Sequence, residues 1–146
     1  MKIALGADHG GVHLKDQIAK WLAELGHEAL DLGTQGEASV DYSDYARKVA
    51  EAVAAKKADR GVLVCGTGQG MCMTANRVAG IRAGVVSDEF SARMIRAHND
   101  ANVLCLGERV VGPGLARALL EAFLNTPFEG GRHEKRVGKM RELDRK

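Results

Sequence analysis

The sequence has no long apolar run, no surplus of either charge, few cysteines and only two prolines. Each shortage closes off a class of protein. No stretch approaches the length needed to cross a bilayer, and Met1-Lys2-Ile3-Ala4-Leu5 meets Gly6 and Asp8 before a secretory core can form, so no membrane partner and a cytoplasmic location are expected. With 21 Lys+Arg against 19 Asp+Glu the formal charge is +2, far from the basic footprint of a dedicated nucleic-acid binder. Cys65, Cys72 and Cys105 are an odd count without a CxxC pair, which argues against a disulfide framework and a cysteine zinc site. No repeat, low-complexity stretch or Ser/Pro-rich linker divides the chain, so residues 1–146 are expected to form one domain.

What is present is a chain of 146 residues, 45% hydrophobic and 27% charged, which suits a single folded domain and excludes disorder. Lys2 to Leu5 reads as a strand that runs into the turn-forming Asp8-His9-Gly10-Gly11. Leu14, Ile18, Trp21, Leu22 and Leu25 then fall on one helical stripe, stopped by Gly26. A strand at Glu28 to Leu32 and a helical stripe from Tyr42 to Val53 follow. The continuous apolar run Gly61 to Cys65 suits a strand buried on both faces of a parallel sheet. Gly66-Thr67-Gly68-Gln69-Gly70 opens a helix to about Val78. Strand Ile81 to Val86, helix Phe90 to Ala97, strand Val103 to Leu106 and a helix through Leu115 and Phe123 complete the series. Five strands alternating with helices predict an α/β, doubly wound domain: a five-stranded parallel sheet with helices on both faces. Residues 132 to 146 carry seven basic and three acidic side chains, a net of +4 against −2 for the rest. Their stripe Val137, Met140, Leu143 predicts a C-terminal helix that packs on its own domain or reaches to a second copy.

Ligands of such sheets bind beyond the carboxyl ends of the strands, where strand order reverses. In the flavodoxin-like order 2-1-3-4-5 the glycine-dense loops after strands 1 and 3 face each other. Gly66, Gly68 and Gly70 let several N–H groups converge beside a helix start, which suits a phosphate or a developing oxyanion, or serves as a tight turn alone. A dinucleotide fingerprint with Asp88 or Glu89 as the ribose contact is disfavoured, because the spacing is GxGxG and the motif follows the third strand. Cys65 ends its strand beside that helix start, a placement that favours the thiolate and hence a base or nucleophile; the plain alternative is a buried inert cysteine, which Cys72 and Cys105 fit better. His98, before strand 5 among polar residues, is a candidate general acid or base, or a cap at its helix end. Asp8 and His9 can meet hydroxyls or a phosphate. His9 and His13, four apart, suggest a metal pair but lack a third ligand. Arg132 and Arg136, one helical turn apart, can converge on one anion or form a solvated basic face, and Arg109 emerges after strand 5.

Taken in order, Asp8-His9-Gly10-Gly11, Cys65-Gly66-Thr67-Gly68-Gln69-Gly70, Ala75-Asn76-Arg77, Gly80-Ile81-Arg82-Ala83, His98-Asn99-Asp100-Ala101-Asn102-Val103-Leu104, Arg109-Val110-Val111-Gly112 and Gly130-Gly131-Arg132-His133 resemble ribose-5-phosphate isomerase of type B; the galactose-6-phosphate isomerase subunits are related to it. The resemblance spans about residues 2 to 137. It implies an aldose-ketose isomerase of the pentose phosphate pathway that works without metal or organic cofactor. In that reading Cys65 is the base, His98 assists ring opening, and the N–H groups of Gly66, Thr67, Gly68, Gln69 and Gly70, with the Thr67 hydroxyl, stabilise an enediolate. Asp8 and Asn99 would hold sugar hydroxyls, and His9, Arg109, Arg132 and Arg136 the phosphate. The family site is shared between two subunits of a homodimer, and a tetramer is compatible. Some members use a glutamate just after the glycine loop as base; Met71 stands there in this chain. A six-carbon aldose 6-phosphate isomerase and a nucleotide-binding regulatory module are the competing expectations.

Overall fold

A computed structural model describes residues 1–144, so Arg145 and Lys146 of the basic tail lie outside the described residues. Strands β1 (Lys2–Ala7), β2 (Glu28–Asp31), β3 (Arg60–Cys65), β4 (Ala83–Val85) and β5 (Val103–Gly107) form one sheet, paired parallel throughout. Between and after them run α1 (Val12–Glu24), α2 (Tyr42–Ala54), α3 (Gln69–Ala75), α4 (Glu89–Ala97), α5 (Pro113–Asn125) and α6 (Arg132–Glu142). Among the described residues no helix is long and apolar enough to cross a membrane.

The period-two alternation of the central strands divides the core into two layers. Ile3, Leu5, Ala7, Val62, Val64, Leu104 and Leu106 pack with Trp21 of α1 and Phe123 of α5. Ala4, Leu63, Cys65, Val103 and Cys105 point the other way, toward α2 and α3. Small residues let α2 close on the second face, because a Cβ at Gly61 would lie 2.6 Å from Val49 Cγ1 and one at Gly6 2.8 Å from Val49 Cγ2. Truncating Phe123, which is fully buried, to alanine removes about 3–5 kcal/mol from the first layer.

The sheet order is β2-β1-β3-β5-β4, which corrects the expected 2-1-3-4-5 by exchanging the last two strands. Burial explains the exchange. Every residue of β5 is buried, as an interior strand requires, whereas β4 is three half-buried residues and suits an edge. Residues 81 to 86 were expected to be strand throughout, but Ile81 and Val86 flank β4 as buried anchors. The exchange has a consequence for function: β1, β3 and β5 are consecutive, so the loops that leave their carboxyl ends adjoin. At the C-terminus, α6 docks on its own domain through His133 and Val137, while Met140 and Leu143 of the expected stripe stay exposed.

Candidate active site

Three loops build the carboxyl-end rim. Asp8 follows β1 as a nearly buried carboxylate whose Oδ1 accepts the Gly10 N–H at 2.8 Å, folding the turn back on itself. Gly10 lies against the loop after β3, where a side chain would not fit comfortably: its Cβ would stand 3.3 Å from the Gly66 nitrogen. A Cβ at Gly11 would run into the Val64 carbonyl. The two glycine loops therefore face each other as the sequence suggested. The backbone of the β5 loop joins them, with Glu108 N–H donating to Cys65 O at 2.9 Å and Arg109 N–H to Gly66 O at 3.1 Å. Arg109 itself is exposed, with its guanidinium beside Gly66.

Cys65 is 6% exposed, and its Sγ accepts the Gly68 N–H at 3.0 Å. Gly68 has φ +82°, a left-handed conformation that glycine adopts without strain and that turns this amide back toward the sulfur. One loop N–H is thus directed at the thiol rather than at a ligand. Thr67 is exposed and its Oγ1 accepts the Gln69 N–H at 3.3 Å, which leaves the hydroxyl proton available to donate outward. Gln69 is exposed, and Gly70 is pressed against the Tyr42 ring, where a Cβ would clash. Tyr42, at the start of α2, is a rim residue that sequence reasoning missed; it reads there only as one apolar member of a helical stripe. His9 Nδ1 accepts the Val40 N–H at 3.2 Å, so its Nε2 carries the proton and can donate to an anion. His13 instead pairs with Glu37 at 2.6 Å, which corrects the idea of a His9–His13 metal pair. Asp88 accepts the Ser91 N–H at 2.7 Å as the cap of α4, so it is engaged in that cap rather than poised for a ribose.

His98, Asn99, Arg132 and Arg136 lie elsewhere. His98 ends α4 and precedes β5, and the following turn meets the start of β3, where Gly61 N–H donates to Asn102 O at 2.9 Å. These residues therefore sit beyond the amino ends of the strands. The six residues of β3 at a rise of about 3.3 Å separate its ends by roughly 16 Å, far beyond hydrogen-bond reach. At this second rim His98 stacks on His133, with ring centroids 4.2 Å apart and planes at 12°, and its Nε2 lies 3.8 Å from Glu129. The nitrogen lone pairs of parallel rings run side by side, so these two imidazoles do not converge on one ion in this arrangement, although their nitrogens and the Glu129 carboxylate cluster within 4.8 Å. Burial, followed by the charges of His98 and Arg132, holds the His133 pKa below that of an ordinary imidazole. Arg132 and Arg136 are exposed on α6, and neither forms an ion pair among the described residues. Asn99 is exposed on a cleft of about 370 Å³ between β4 and α6.

A doubly wound α/β domain with a thiol set among glycine loops at its carboxyl rim is the frame of a small-molecule enzyme. Over residues 3–140 the chain matches the family model described as Ribose/Galactose Isomerase. It is 50% identical to ribose-5-phosphate isomerase B of Escherichia coli K12 over 136 residues, 93% of this chain and 91% of that protein. The structure of Clostridium thermocellum ribose-5-phosphate isomerase B matches with a TM-score of 0.97 at 53% identity, covering 99% of this chain and 97% of that one. That of Mycoplasma genitalium ribose-5-phosphate isomerase B with bound ribulose-5-phosphate matches with a TM-score of 0.94 at 39% identity, over 99% and 97%. The chain belongs to the ribose/galactose isomerase family, and it is an isomerase.

Proposed function

We propose that the protein interconverts D-ribose 5-phosphate and D-ribulose 5-phosphate, with Cys65 as the base, in a site completed by a second copy of the chain. The observation that carries this reading is the Cys65 thiol at the rim, with Gly68 N–H 3.0 Å from its sulfur and the Asp8, Thr67 and Arg109 loops around it. On the opened sugar, the Cys65 thiolate removes the proton from C2. The C–H electron pair becomes the C1=C2 bond, and the aldehyde π electrons move onto O1. Fixed donors aimed at that oxygen lower the barrier most effectively, and the Thr67 hydroxyl and the remaining loop amides are suited to the task. Cys65 then returns the proton to C1, the C1=C2 electron pair forming the new C–H bond. Meanwhile O2 gives up its proton to O1 and becomes the ketone oxygen, leaving C1 as the CH2OH of ribulose 5-phosphate. C2 is oxidised as C1 is reduced, so the balance needs no external electron acceptor and no cofactor.

Ring opening needs an acid for the ring oxygen and a base for the anomeric hydroxyl. The partner's His98 would supply the acid and Asp8, which also holds a hydroxyl, would accept the anomeric proton, with the partner's Asn99 holding a further hydroxyl. His9 and Arg109 of one chain with Arg132 of the partner subunit and Arg136 of the partner subunit would enclose the phosphate. The roughly 16 Å between the two rims of one chain supports this division. So do Met73, Phe90, Val110 and Leu143, apolar side chains more than half exposed on the isolated chain. The same reading puts the reaction in the pentose phosphate pathway, in the cytoplasm, where phosphorylated sugars are held.

The test is turnover of ribose 5-phosphate in deuterated water with C1 of the product examined by NMR. The native protein is expected to form ribulose 5-phosphate labelled at C1, and Cys65→Ala to lose about 10²–10⁴-fold in kcat while still binding the sugar phosphate. Near-native turnover by that variant would remove Cys65 as base. Allose 6-phosphate and galactose 6-phosphate assayed alongside decide the length of sugar accepted.

A further inference from the structure

We infer that Asp100, which the proposed chemistry leaves unused, is the positioning residue that ties the His98 turn to the helix carrying Arg132 and Arg136. Its carboxylate collects guanidinium groups from three separate elements. Oδ1 accepts from Arg96 Nη1 of α4 at 2.9 Å; Oδ2 lies 3.3 Å from Arg82 Nη2, just before β4, and 3.5 Å from Arg141 Nη2 on α6. The backbone of Asp100 is fixed as well, its N–H donating to Arg96 O at 3.2 Å and its carbonyl accepting from Arg82 Nε at 3.0 Å.

The conformation is not one a generic residue takes. Asp100 has φ +49°, in the left-handed region that aspartate and asparagine tolerate better than most side chains. Arg96 is nearly buried and also donates to Ala101 O at 2.7 Å and Thr126 O at 3.2 Å, so it is anchored to the body of the domain. Arg141 is the most exposed member of the set, its side chain 44% exposed, and its Nη1 also donates to Glu134 Oε1 on the same helix at 2.9 Å. Removing the carboxylate would leave three converging cations without their shared counter-charge, with only Glu134 still paired to Arg141. The one released outward would be Arg141, and α6 would follow it. The helix has few other ties to the domain: the stack of His133 on His98, the buried Val137, and Asp144 accepting the Gly80 N–H at 3.0 Å beyond its end. The Asp100 carboxylate therefore couples two parts of the amino-end rim that sequence separates by more than thirty residues.

The inference rests on the proposed function only in taking His98 and the α6 arginines as the groups that serve the sugar phosphate. Asp100→Asn preserves size and tolerance of the positive φ and removes the charge. It is expected to raise KM for ribose 5-phosphate about tenfold, within the range of couplings between residues of one network, and to lower kcat as the His98 turn loosens. The dissociation constant for inorganic phosphate, measured by calorimetry, is expected to rise by the same factor as KM. Arg141→Gln, a surface change that leaves the fold intact, is expected to reproduce the KM and phosphate effects with kcat unchanged. Combining the two is expected to raise KM no further than Asp100→Asn alone. Native KM and phosphate affinity in both single variants would overturn the inference, as would a loss of kcat alone. If Asp100→Asn does not fold, Arg141→Gln decides: an unchanged KM overturns the coupling. A native protein that fails to isomerise ribose 5-phosphate would refute the proposed function instead, and the phosphate titration would still test the latch.

Discussion

The three thiols differ because of what surrounds them. Cys65 is held at the rim by an amide, and Cys105 is sealed within the sheet, where the neighbouring Cys72 and burial push its pKa well up. Cys72, which the sequence suggested was inert, is the unusual one. The neighbouring Cys105 thiol outweighs its burial and brings its pKa down to about 7, below the ordinary thiol value, which favours the thiolate. Iodoacetamide is therefore expected to modify Cys72 faster than Cys105, with a rate that is half-maximal at about pH 7. Replacing Cys105 with alanine should move that midpoint upward toward the ordinary thiol range. Peptide mass spectrometry at a series of pH values makes the comparison, and a midpoint insensitive to Cys105 would show that the thiol pair does not set it.

At the scale of elements, one buried cation clamps α1 to β2. The Lys15 side chain has no exposed surface and lies 2.7 Å from Asp31 and 2.9 Å from Asp16, while Asp31 also receives the Gly33 N–H at 2.9 Å. Burial alone would raise the Asp31 pKa, but the hydrogen bonds from Lys15 and Gly33 and the charge of Lys15 outweigh it and bring the carboxyl below its ordinary 3.8. Its folded-state pKa is depressed, so its contribution to stability is present above pH 3.8 and is lost as pH falls through the folded value. Asp31→Asn is expected to cost about 1–2 kcal/mol at neutral pH, since Lys15 is left buried with only Asp16 beside it while the lost carboxylate is itself partly exposed. Urea melts should show that gap closing below pH 3.8; a gap constant down to pH 2 would mean that the charge of Asp31 contributes nothing. The elements themselves were legible because their signals are local. The buried run Gly61 to Cys65 and the stripes of α1, α2 and α5 carry their own period, and every expected strand and helix forms within a few residues. Strand order was not legible in that way, because it depends on how completely β4 and β5 are covered. The rim around Cys65 was foreseen from its glycines. Tyr42 was missed because nothing in the sequence places the start of α2 against Gly70.

For the whole molecule, the decisive fact is direction. His98 precedes one parallel strand and Cys65 ends another, so a single chain holds them at opposite ends of its sheet however its loops are arranged. The topology could have been read for this, and the motifs, taken one at a time, concealed it. A site that needs both residues must draw them from two chains, and two-fold symmetry then gives each dimer two such sites. Two individually inactive proteins should therefore rescue each other. In a mixed dimer of Cys65→Ala and His98→Asn, one site receives both changes and the other receives neither. After equal amounts are unfolded together and refolded, half of the dimers are mixed and each carries one intact site, so activity should return to roughly a quarter of the native level. The parent variants treated separately should remain inactive. If Cys65 and His98 served one site within the same chain, every chain in the mixture would still lack one of them, and no activity would return at any mixing ratio.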